Sequence, residues 1–347
     1  MNKTLVLLMV FAVIIALPCR TSNAQTYKFQ QYTNKQGLCY DFVYSIAQDK
    51  HGYIWFATGV GLCRYDGFKF SSPSNDLPST NATTSFRDDK GNLWFGYNDG
   101  LIVKYDGVDF SIADTSARKT EVSQIIQDTK GEILVAIQTG GITRIGKKID
   151  RFSEGFEDIV VNTMCFASAD KLLIGSQDGL YLYDYGESIT VNVKNEKLAD
   201  LSVKCIIPKI NDNGYWVATE NNGIFYVTVD ERQFSALHLD IPELEHAQVQ
   251  SVYEDPQNNL WISTFGEGLF RVHLSGTMRV VKTSNYNSNN GLGSDYVKQV
   301  IFDNQYNLWV ATYDGVACIT NLAFSFFEGL HPISNNATAV LSVDDSE

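Results

Sequence analysis

The sequence predicts an all-β protein assembled from one unit that recurs seven times. Every unit contains a strand-like motif typified by Gly52-Tyr-Ile-Trp55-Phe-Ala-Thr58, with Trp or Leu at the fourth position. A Gly followed by an aliphatic residue comes shortly after each motif, and a short apolar run ending in Asp precedes at least four of them. Three landmarks in a fixed order indicate a repeat protein, in which each copy packs on its neighbours.

Each unit reads as four short strands. In the first copy these are residues 45–49, the Trp55 motif, residues 62–66 and the aromatic piece 68–70. β-Branched and aromatic residues fill the runs, and Gly, Asn and Asp fill the gaps, as is typical of strands joined by tight turns. The spacing Asp49-x-x-Gly52 predicts a tight turn between strands one and two, so the repeated Asp residues are interpreted as turn residues.

A four-stranded unit of about forty residues cannot bury both of its faces alone, and radial stacking of such units leaves only short edges exposed. Seven units therefore predict a seven-bladed β-propeller of four-stranded antiparallel blades. Segment 27–32 resembles the fourth-strand pieces, so we expect this N-terminal strand to close the ring in blade seven, beside residues 316–320. The identical register of the fourth motif position favours inter-blade core over sugar-stacking platforms for Trp55, Trp94, Leu134, Leu173, Trp216, Trp261 and Trp309.

The N terminus predicts export. Residues 1–24 combine a basic start, an apolar run of about thirteen residues, too short to span a bilayer that needs roughly 20, and the small-residue pattern Ser22-x-Ala24. We therefore expect a signal peptide over 1–24, the propeller over 25–321 and a periplasmic location. Residues 322–347 repeat the order of a fourth strand followed by a first strand, so they are interpreted as the start of a further propeller unit.

Composition excludes several function classes. The formal net charge of −13 disfavours nucleic acid and anionic lipid as partners, and no segment after residue 24 is long and apolar enough to predict membrane insertion. The cysteines are scattered without C-x-x-C spacing, which indicates neither a disulfide framework nor a zinc site and leaves open a single bridge between spatial neighbours. The five His show no metal-ligand spacing, so we expect no cofactor, no metal and no catalysis.

The loops joining strands two and three predict where a ligand binds. Aromatic side chains stand there beside amides and carboxylates, a combination that suits a sugar, because aromatic rings stack on its apolar face and polar groups bind its hydroxyls. The candidates are Tyr97, Asn98, Gln138, Gln177, Glu220, Phe265, Glu267 and Tyr313. Simple hairpin turns explain many of the Asn and Asp residues equally well, but they explain Tyr97, Phe265 and Tyr313 least.

The unit Val-x-x-Ile-x-Gln-Asp-x-x-Gly-x-Ile-Trp-Phe-x-Thr-x-x-Gly-Leu-x-x-Tyr-Asp-Gly at residues 43–67 resembles the two-component regulator propeller repeat. That repeat builds the periplasmic sensor regions of hybrid two-component systems and sensor histidine kinases of Bacteroidetes. The resemblance implies two propellers, an immunoglobulin-like module, a transmembrane helix and a kinase in the whole protein. Blades three and four depart from the pattern, because both lack the Trp.

Three hypotheses follow for function. The first is a noncatalytic extracytoplasmic sensor that recognises an oligosaccharide or other small nutrient and signals to covalently continuous sensor and kinase domains outside this chain. The ligand class in this hypothesis depends on the family resemblance. The second is a secretion-associated scaffold that binds another protein. The third is a propeller lyase or glycosidase with two carboxylates across the central opening.

Overall fold

The computed structural model describes residues 28–73, 77, 81–114, 120–139, 141–146, 149–152, 159–184, 189–192, 198–230 and 233–320. Their strands form seven four-stranded antiparallel sheets, which confirms the predicted seven-bladed β-propeller. The predicted signal peptide (1–24) and the predicted further unit (322–347) lie outside the described residues and stay predictions.

The strands are numbered in chain order. Blade one contains β2 (Val43–Gln48), β3 (Ile54–Thr58), β4 (Gly61–Tyr65) and β5 (Phe70–Ser71), and blade two contains β6 (Ala82–Arg87), β7 (Leu93–Tyr97), β8 (Ile102–Tyr105) and β9 (Phe110–Asp114). Blade three contains β10 (Val122–Gln127), β11 (Ile133–Ile137), β12 (Gly141–Ile145) and β13 (Ile149–Phe152), and blade four contains β14 (Val161–Phe166), β15 (Lys171–Ser176), β16 (Gly179–Asp184) and β17 (Ile189–Asn192). Blade five contains β18 (Val203–Pro208), β19 (Tyr215–Thr219), β20 (Ile224–Asp230) and β21 (Gln233–His238), and blade six contains β22 (Val249–Glu254), β23 (Asn259–Thr264), β24 (Leu269–Leu274) and β25 (Val280–Tyr286). Blade seven contains β26 (Val297–Phe302), β27 (Leu308–Thr312), β28 (Gly315–Ile319) and β1 (Gln30–Tyr32), and short 3-10 helices occupy Asn34–Gln36, Pro242–Leu244 and Ser288–Asn290.

The N-terminal strand closes the ring, as the sequence predicts. Strand β1 pairs antiparallel with β28, with Gln30 opposite Cys318 and Tyr32 opposite Val316. It is therefore the outermost strand of blade seven, although it precedes all the other strands in the chain. The tyrosine ring of Tyr32 stacks on the indole of Trp309 with centroids 5.9 Å apart, so the closing strand also packs into the core.

A disulfide bridge joins Cys39 to Cys63 and settles the alternative that the sequence leaves open. Cys39 lies between β1 and β2, and Cys63 lies in β4, so the bridge ties the segment that follows the closing strand to blade one. Cys165, Cys205 and Cys318 are free thiols, and burial raises the pKa of Cys165 and of Cys318 to about 12.

The first strands of the blades contact one another around the ring, so they are the innermost strands. The residue at the fourth motif position faces the following blade: Trp55 packs on Tyr105 of blade two with ring centroids 4.9 Å apart, and Trp309 packs on Phe56 of blade one. All seven such residues are buried, including the two that are Leu. Burial of a side chain this large contributes several kcal/mol, so these positions hold neighbouring blades together.

The repeated Asp does more than form a turn. Oδ1 of Asp255 accepts the backbone amides of Gln257 and Asn259, whereas Oδ2 accepts the indole N–H of Trp261 at 2.9 Å. The same bond links Asp49 to Trp55, Asp88 to Trp94 and Asp303 to Trp309. In blade five, where no Asp stands six residues before the Trp, the indole of Trp216 donates to Glu254 of blade six.

Candidate functional site

One face of the propeller presents a regular set of backbone contacts between two groups of residues. In six blades, the residue that follows the second strand donates its amide to the carbonyl of the residue that precedes the first strand of the same blade. The donor and acceptor pairs are Gly59–Phe42, Asn98–Asn81, Gln138–Glu121, Glu220–Ser202, Phe265–Gln248 and Tyr313–Tyr296. These residues are called the rim below, because they surround the central axis where the innermost strands begin.

Five aromatic side chains from blades six, seven and one make a continuous series on this face. Phe265 contacts Tyr296 with ring centroids 4.8 Å apart and Tyr313 at 5.4 Å. Tyr313 contacts Phe42 at 3.9 Å, and Phe42 contacts Tyr44 at 4.5 Å. The set Phe265, Tyr296, Tyr313, Phe42 and Tyr44 is called the aromatic arc below. Phe265 is 39% exposed and Tyr296 is 43% exposed, so the arc reaches solvent.

Beneath the rim, every first strand contains a β-bulge at its second residue. The register against the second strand shifts at this residue in all seven blades. A bulge leaves one residue outside the ladder and turns its side chain away from the regular alternation. The bulged residues are Tyr44, Thr83, Ser123, Asn162, Lys204, Gln250 and Lys298, two residues after the corresponding rim residue in each blade with a described rim contact.

Charged side chains of blades three, five and seven lie at this level. Lys204 pairs with Glu220 at 3.2 Å, and Lys298 Nζ donates to Gln250 Oε1 at 3.1 Å. Burial lowers the pKa of Lys298, and the Lys204 charge lowers it further, while Glu121 acts in the opposite direction. Burial likewise raises the pKa of Glu121, and the Lys298 ammonium opposes that rise. Since Glu121 and Lys298 come from nearly opposite blades and still interact, both side chains approach the axis.

A cavity of about 510 Å³ adjoins the aromatic arc on blades seven, one and two. Tyr44, Phe42, Asn81 and Tyr313 line it, and the amide of Asn81 donates to the Tyr44 hydroxyl at 3.3 Å. Burial raises the pKa of Tyr44. The volume of this cavity is within the range of small-ligand sites, about 300–1,000 Å³, and its walls combine aromatic carbons with amide and hydroxyl groups.

A second cavity, of about 670 Å³, lies between the outer strands of blades one and two, where Arg64, Tyr105 and Phe110 line it. None of the eight ligand-binding candidates from the sequence lines this outer cleft.

The structure places five of the eight candidates at one register position of the rim, namely Asn98, Gln138, Glu220, Phe265 and Tyr313. Gln177 follows β15 in the same register and is exposed, and Glu267 is exposed within the loop after Phe265. Phe265 and Tyr313 come together in the aromatic arc. The remaining polar candidates are distributed over blades two to six, one in each blade.

Tyr97 departs from the expectation. It is the last residue of β7, one position before the rim, and its side chain is fully buried between blades one and two. Successive side chains of a strand point to opposite faces, so a difference of one residue moves Tyr97 from the rim into the core. Its hydroxyl has no hydrogen-bond partner among the described residues, and burial raises its pKa.

Several residues of the site are not apparent from the loops between strands two and three. Phe42, Tyr296 and Glu121 precede first strands, and Tyr44 and Lys298 are bulged residues within them. Their common signal is a fixed distance before the Asp that follows the first strand of their blade: Phe42 precedes Asp49 by the same number of residues as Tyr296 precedes Asp303.

The described residues contain no group of three or more His, Cys, Asp or Glu side chains arranged to hold a metal ion. None of the helices in the described part of the chain has the length and hydropathy needed to cross a membrane.

Comparison with protein families identifies the repeat. Residues 37–59 and 243–266 match the two component regulator propeller family. This chain carries two-component regulator propeller repeats. The matched stretches contain the first two strands of blade one and of blade six, the two blades that flank blade seven. Among curated proteins, none matches the sequence at a significant level.

Solved structures similar to this regulator propeller come from proteins with different functions. An extracellular domain ascribed to a hybrid two-component system of B. thetaiotaomicron is 21% identical, with 85% of this chain and 42% of that chain covered and a TM-score of 0.69. Virginiamycin B lyase from Staphylococcus aureus is 15% identical, with 85% and 100% covered and a TM-score of 0.67. PorZ, a surface component of the type-IX secretion system of Porphyromonas gingivalis, is 14% identical, with 82% and 47% covered and a TM-score of 0.61. At these identities the likeness concerns the fold, and the regulator propeller covers less than half of the two-component extracellular domain.

Proposed function

We propose that the regulator propeller is the extracytoplasmic, ligand-sensing part of a two-component signalling system, noncatalytic itself, and that it binds an oligosaccharide on the aromatic arc. The repeat family and the similarity to extracellular domains of two-component systems support the sensor role. The observation on which the ligand class depends is the arc itself, together with the cavity beside it.

The fold does not require aromatic residues at the rim. Four blades have Gly59, Asn98, Gln138 and Glu220 at the position that Phe265 and Tyr313 occupy, and their second strands are equally buried. Exposed and half-buried aromatic residues gathered in three adjacent blades are therefore best explained by binding. Aromatic rings stack on the apolar face of a sugar, while the amide of Asn81 and the hydroxyl of Tyr44 offer hydrogen bonds to its hydroxyls.

The remainder of the signalling path is also a proposal. We place the output in sensor and kinase domains covalently continuous with the propeller, with the propeller in the periplasm after removal of the signal peptide. No nucleic acid binding and no membrane insertion by the mature segment are expected, in line with the net charge of −13. Ligand binding on the arc would change how blades six, seven and one pack together, because the arc joins these three blades.

The test is isothermal titration calorimetry of the mature protein against a panel of neutral and acidic oligosaccharides. At least one sugar is expected to bind, and Phe265→Ala and Tyr296→Ala are each expected to weaken its affinity about tenfold, or ~1.4 kcal/mol. Tyr306→Ala is the matched control, because Tyr306 is 68% exposed in a turn on the opposite face. Absence of binding to every sugar, or equal affinity of the arc variants, would contradict the proposal.

The same experiments separate the other hypotheses. Chromatography of the sugar after incubation detects turnover, which would favour the lyase or glycosidase hypothesis over a noncatalytic sensor. A stable complex with another exported protein, combined with no sugar binding, would favour the scaffold hypothesis.

A further inference from the structure

Three adjacent bulged residues form a cationic and amide-bearing group beneath the aromatic arc. They are Lys204 of blade five, Gln250 of blade six and Lys298 of blade seven. The Lys298 ammonium donates one hydrogen bond, to Gln250 Oε1 at 3.1 Å. Within the described residues no carboxylate lies inside the 4.0 Å ion-pair distance of Lys298, whereas Lys204 is paired with Glu220.

Among the described residues the Lys298 ammonium has one hydrogen-bond acceptor, Gln250 Oε1, so two of its three N–H donors are left for a ligand. The side chains that face it are Gln250, Glu121 and Lys204. Burial lowers the pKa of Lys298, the Glu121 carboxylate raises it and the Lys204 charge lowers it, and the net direction is downward, so the protein environment only partly balances its charge. A partly buried charge of this kind is stabilised by an anion that supplies hydrogen-bond acceptors.

This ammonium lies within reach of a ligand on the arc. Lys298 follows Tyr296 by two residues, which is about 7 Å along an extended strand. Gln250 likewise follows Gln248 by two residues, and the Gln248 carbonyl accepts a hydrogen bond from the amide of Phe265. Phe265 and Tyr296 also form a β-bridge, so blades six and seven place their aromatic side chains side by side above Lys298 and Gln250.

We propose that the oligosaccharide bound by this propeller is acidic, with a carboxylate or sulfate held by Lys298 and by the amide N–H of Gln250 while its sugar ring stacks on Phe265 and Tyr296. This inference depends on the proposed function, since it names the ligand class of the same site. Gln250 suits the task because its oxygen accepts from Lys298 and its amide nitrogen is left to donate to the anion. A neutral hydroxyl in the same place would leave the Lys298 charge unbalanced.

The experiment compares acidic sugars with their neutral counterparts by calorimetry on the mature protein. The pairs are oligogalacturonate and its methyl ester, oligoalginate and its carboxyl-reduced form, and sulfated and desulfated carrageenan oligosaccharides, which contain no uronate. The variants are Lys298→Met and the control Lys282→Met, a lysine exposed on the outer strand β25. The uronate pairs and the sulfate pair distinguish the two anions.

At least one acidic member is expected to bind 10-fold or more tightly than its counterpart. Lys298→Met should reduce that affinity about 10- to 100-fold, the range for a hydrogen bond to a charged group, and leave the neutral sugar within about twofold. Lys282→Met should change neither the affinity for the acidic sugar nor that for the neutral sugar, and thermal melts should show that all variants are folded.

Two outcomes overturn the inference separately from the proposed function. If neutral sugars bind as tightly as acidic ones and Phe265→Ala still weakens binding, the preference for acidic sugars is refuted while the proposed sugar site on the arc stands. An acid preference that persists in Lys298→Met would show that another group holds the anion. Failure of every sugar to bind would overturn both.

Discussion

Substituting Asp255 with Ala tests whether the repeated Asp is more than a turn residue. Asp255 is 4% exposed and accepts hydrogen bonds from the Trp261 indole and the Asn259 side chain as well as from two turn amides. The variant leaves two buried donors without an acceptor, at about 1–3 kcal/mol each. With about 1 kcal/mol for the turn bonds, the expected loss in unfolding free energy is roughly 3–7 kcal/mol, or about 6–14 °C in melting temperature at ~2 °C per kcal/mol.

Blade three offers a matched control for this prediction. Asp128 accepts the same turn amides, from Lys130 and Glu132, but the residue six positions later is Leu134, which has no N–H to donate. Asp128→Ala is therefore expected to cost only about 1 kcal/mol. Both variants are measured by circular dichroism melts against the unaltered protein. Equal losses in the two variants would refute the reasoning, because they would show that only the turn matters.

Three further predictions concern stability. Replacing Cys39 and Cys63 with Ser is expected to cost about 3.5 kcal/mol, the entropy of a loop with a separation of 24 residues, and dithiothreitol should then no longer lower the melting temperature. Burial alone would raise the pKa of Asp88, but hydrogen bonds from Trp94 and Asn92 outweigh it and lower the pKa. The ionised carboxylate therefore stabilises the fold above about pH 4, and this contribution is lost below that pH. In Asp88→Asn, the unfolding free energy should fall less steeply as the pH is lowered. Tyr306 has a φ of +60° at the turn position where blade one has Gly52, a conformation that strains any residue other than Gly. Tyr306→Gly should therefore raise the unfolding free energy, measured by urea titration, by about 0.5–1 kcal/mol. A decrease would mean that packing of the tyrosine outweighs its strain.

The repeat predicts the fold well, because the same sequence landmarks mark the strands of every blade in the same order. The landmarks around Trp55 recur with enough regularity to give the number of blades, the strands and the closing segment, and they align Leu134 and Leu173 with the tryptophans despite the different side chain. The Asp49–Trp55 hydrogen bond was not evident, since a turn already explains the Asp. It requires the indole to fold back over the turn, which only packing determines.

The site was only partly predictable. Phe265 and Tyr313 were selected because they follow second strands, but Tyr296 and Phe42 approach them from the junctions between blades, and sequence gives no distance between those segments. Tyr97 was included because the boundary between strand and loop is uncertain by one residue, which is enough to reverse the direction of a side chain. The Cys39–Cys63 bridge likewise depends on how the segment between β1 and β2 packs against β4, a distance that the sequence does not give.

The pairing of β1 with β28 determines when during synthesis the propeller can close. Strand β1 is the first strand of the propeller to leave the ribosome and β28 is the last, so nearly all of the propeller must be synthesised before Gln30 meets Cys318. Contacts between residues so distant in sequence form slowly, and until then β1 has no neighbour to satisfy its backbone. A translation product that stops before β26 lacks the whole of the last sheet that β1 completes, and it leaves both ends of an open array of six blades unprotected.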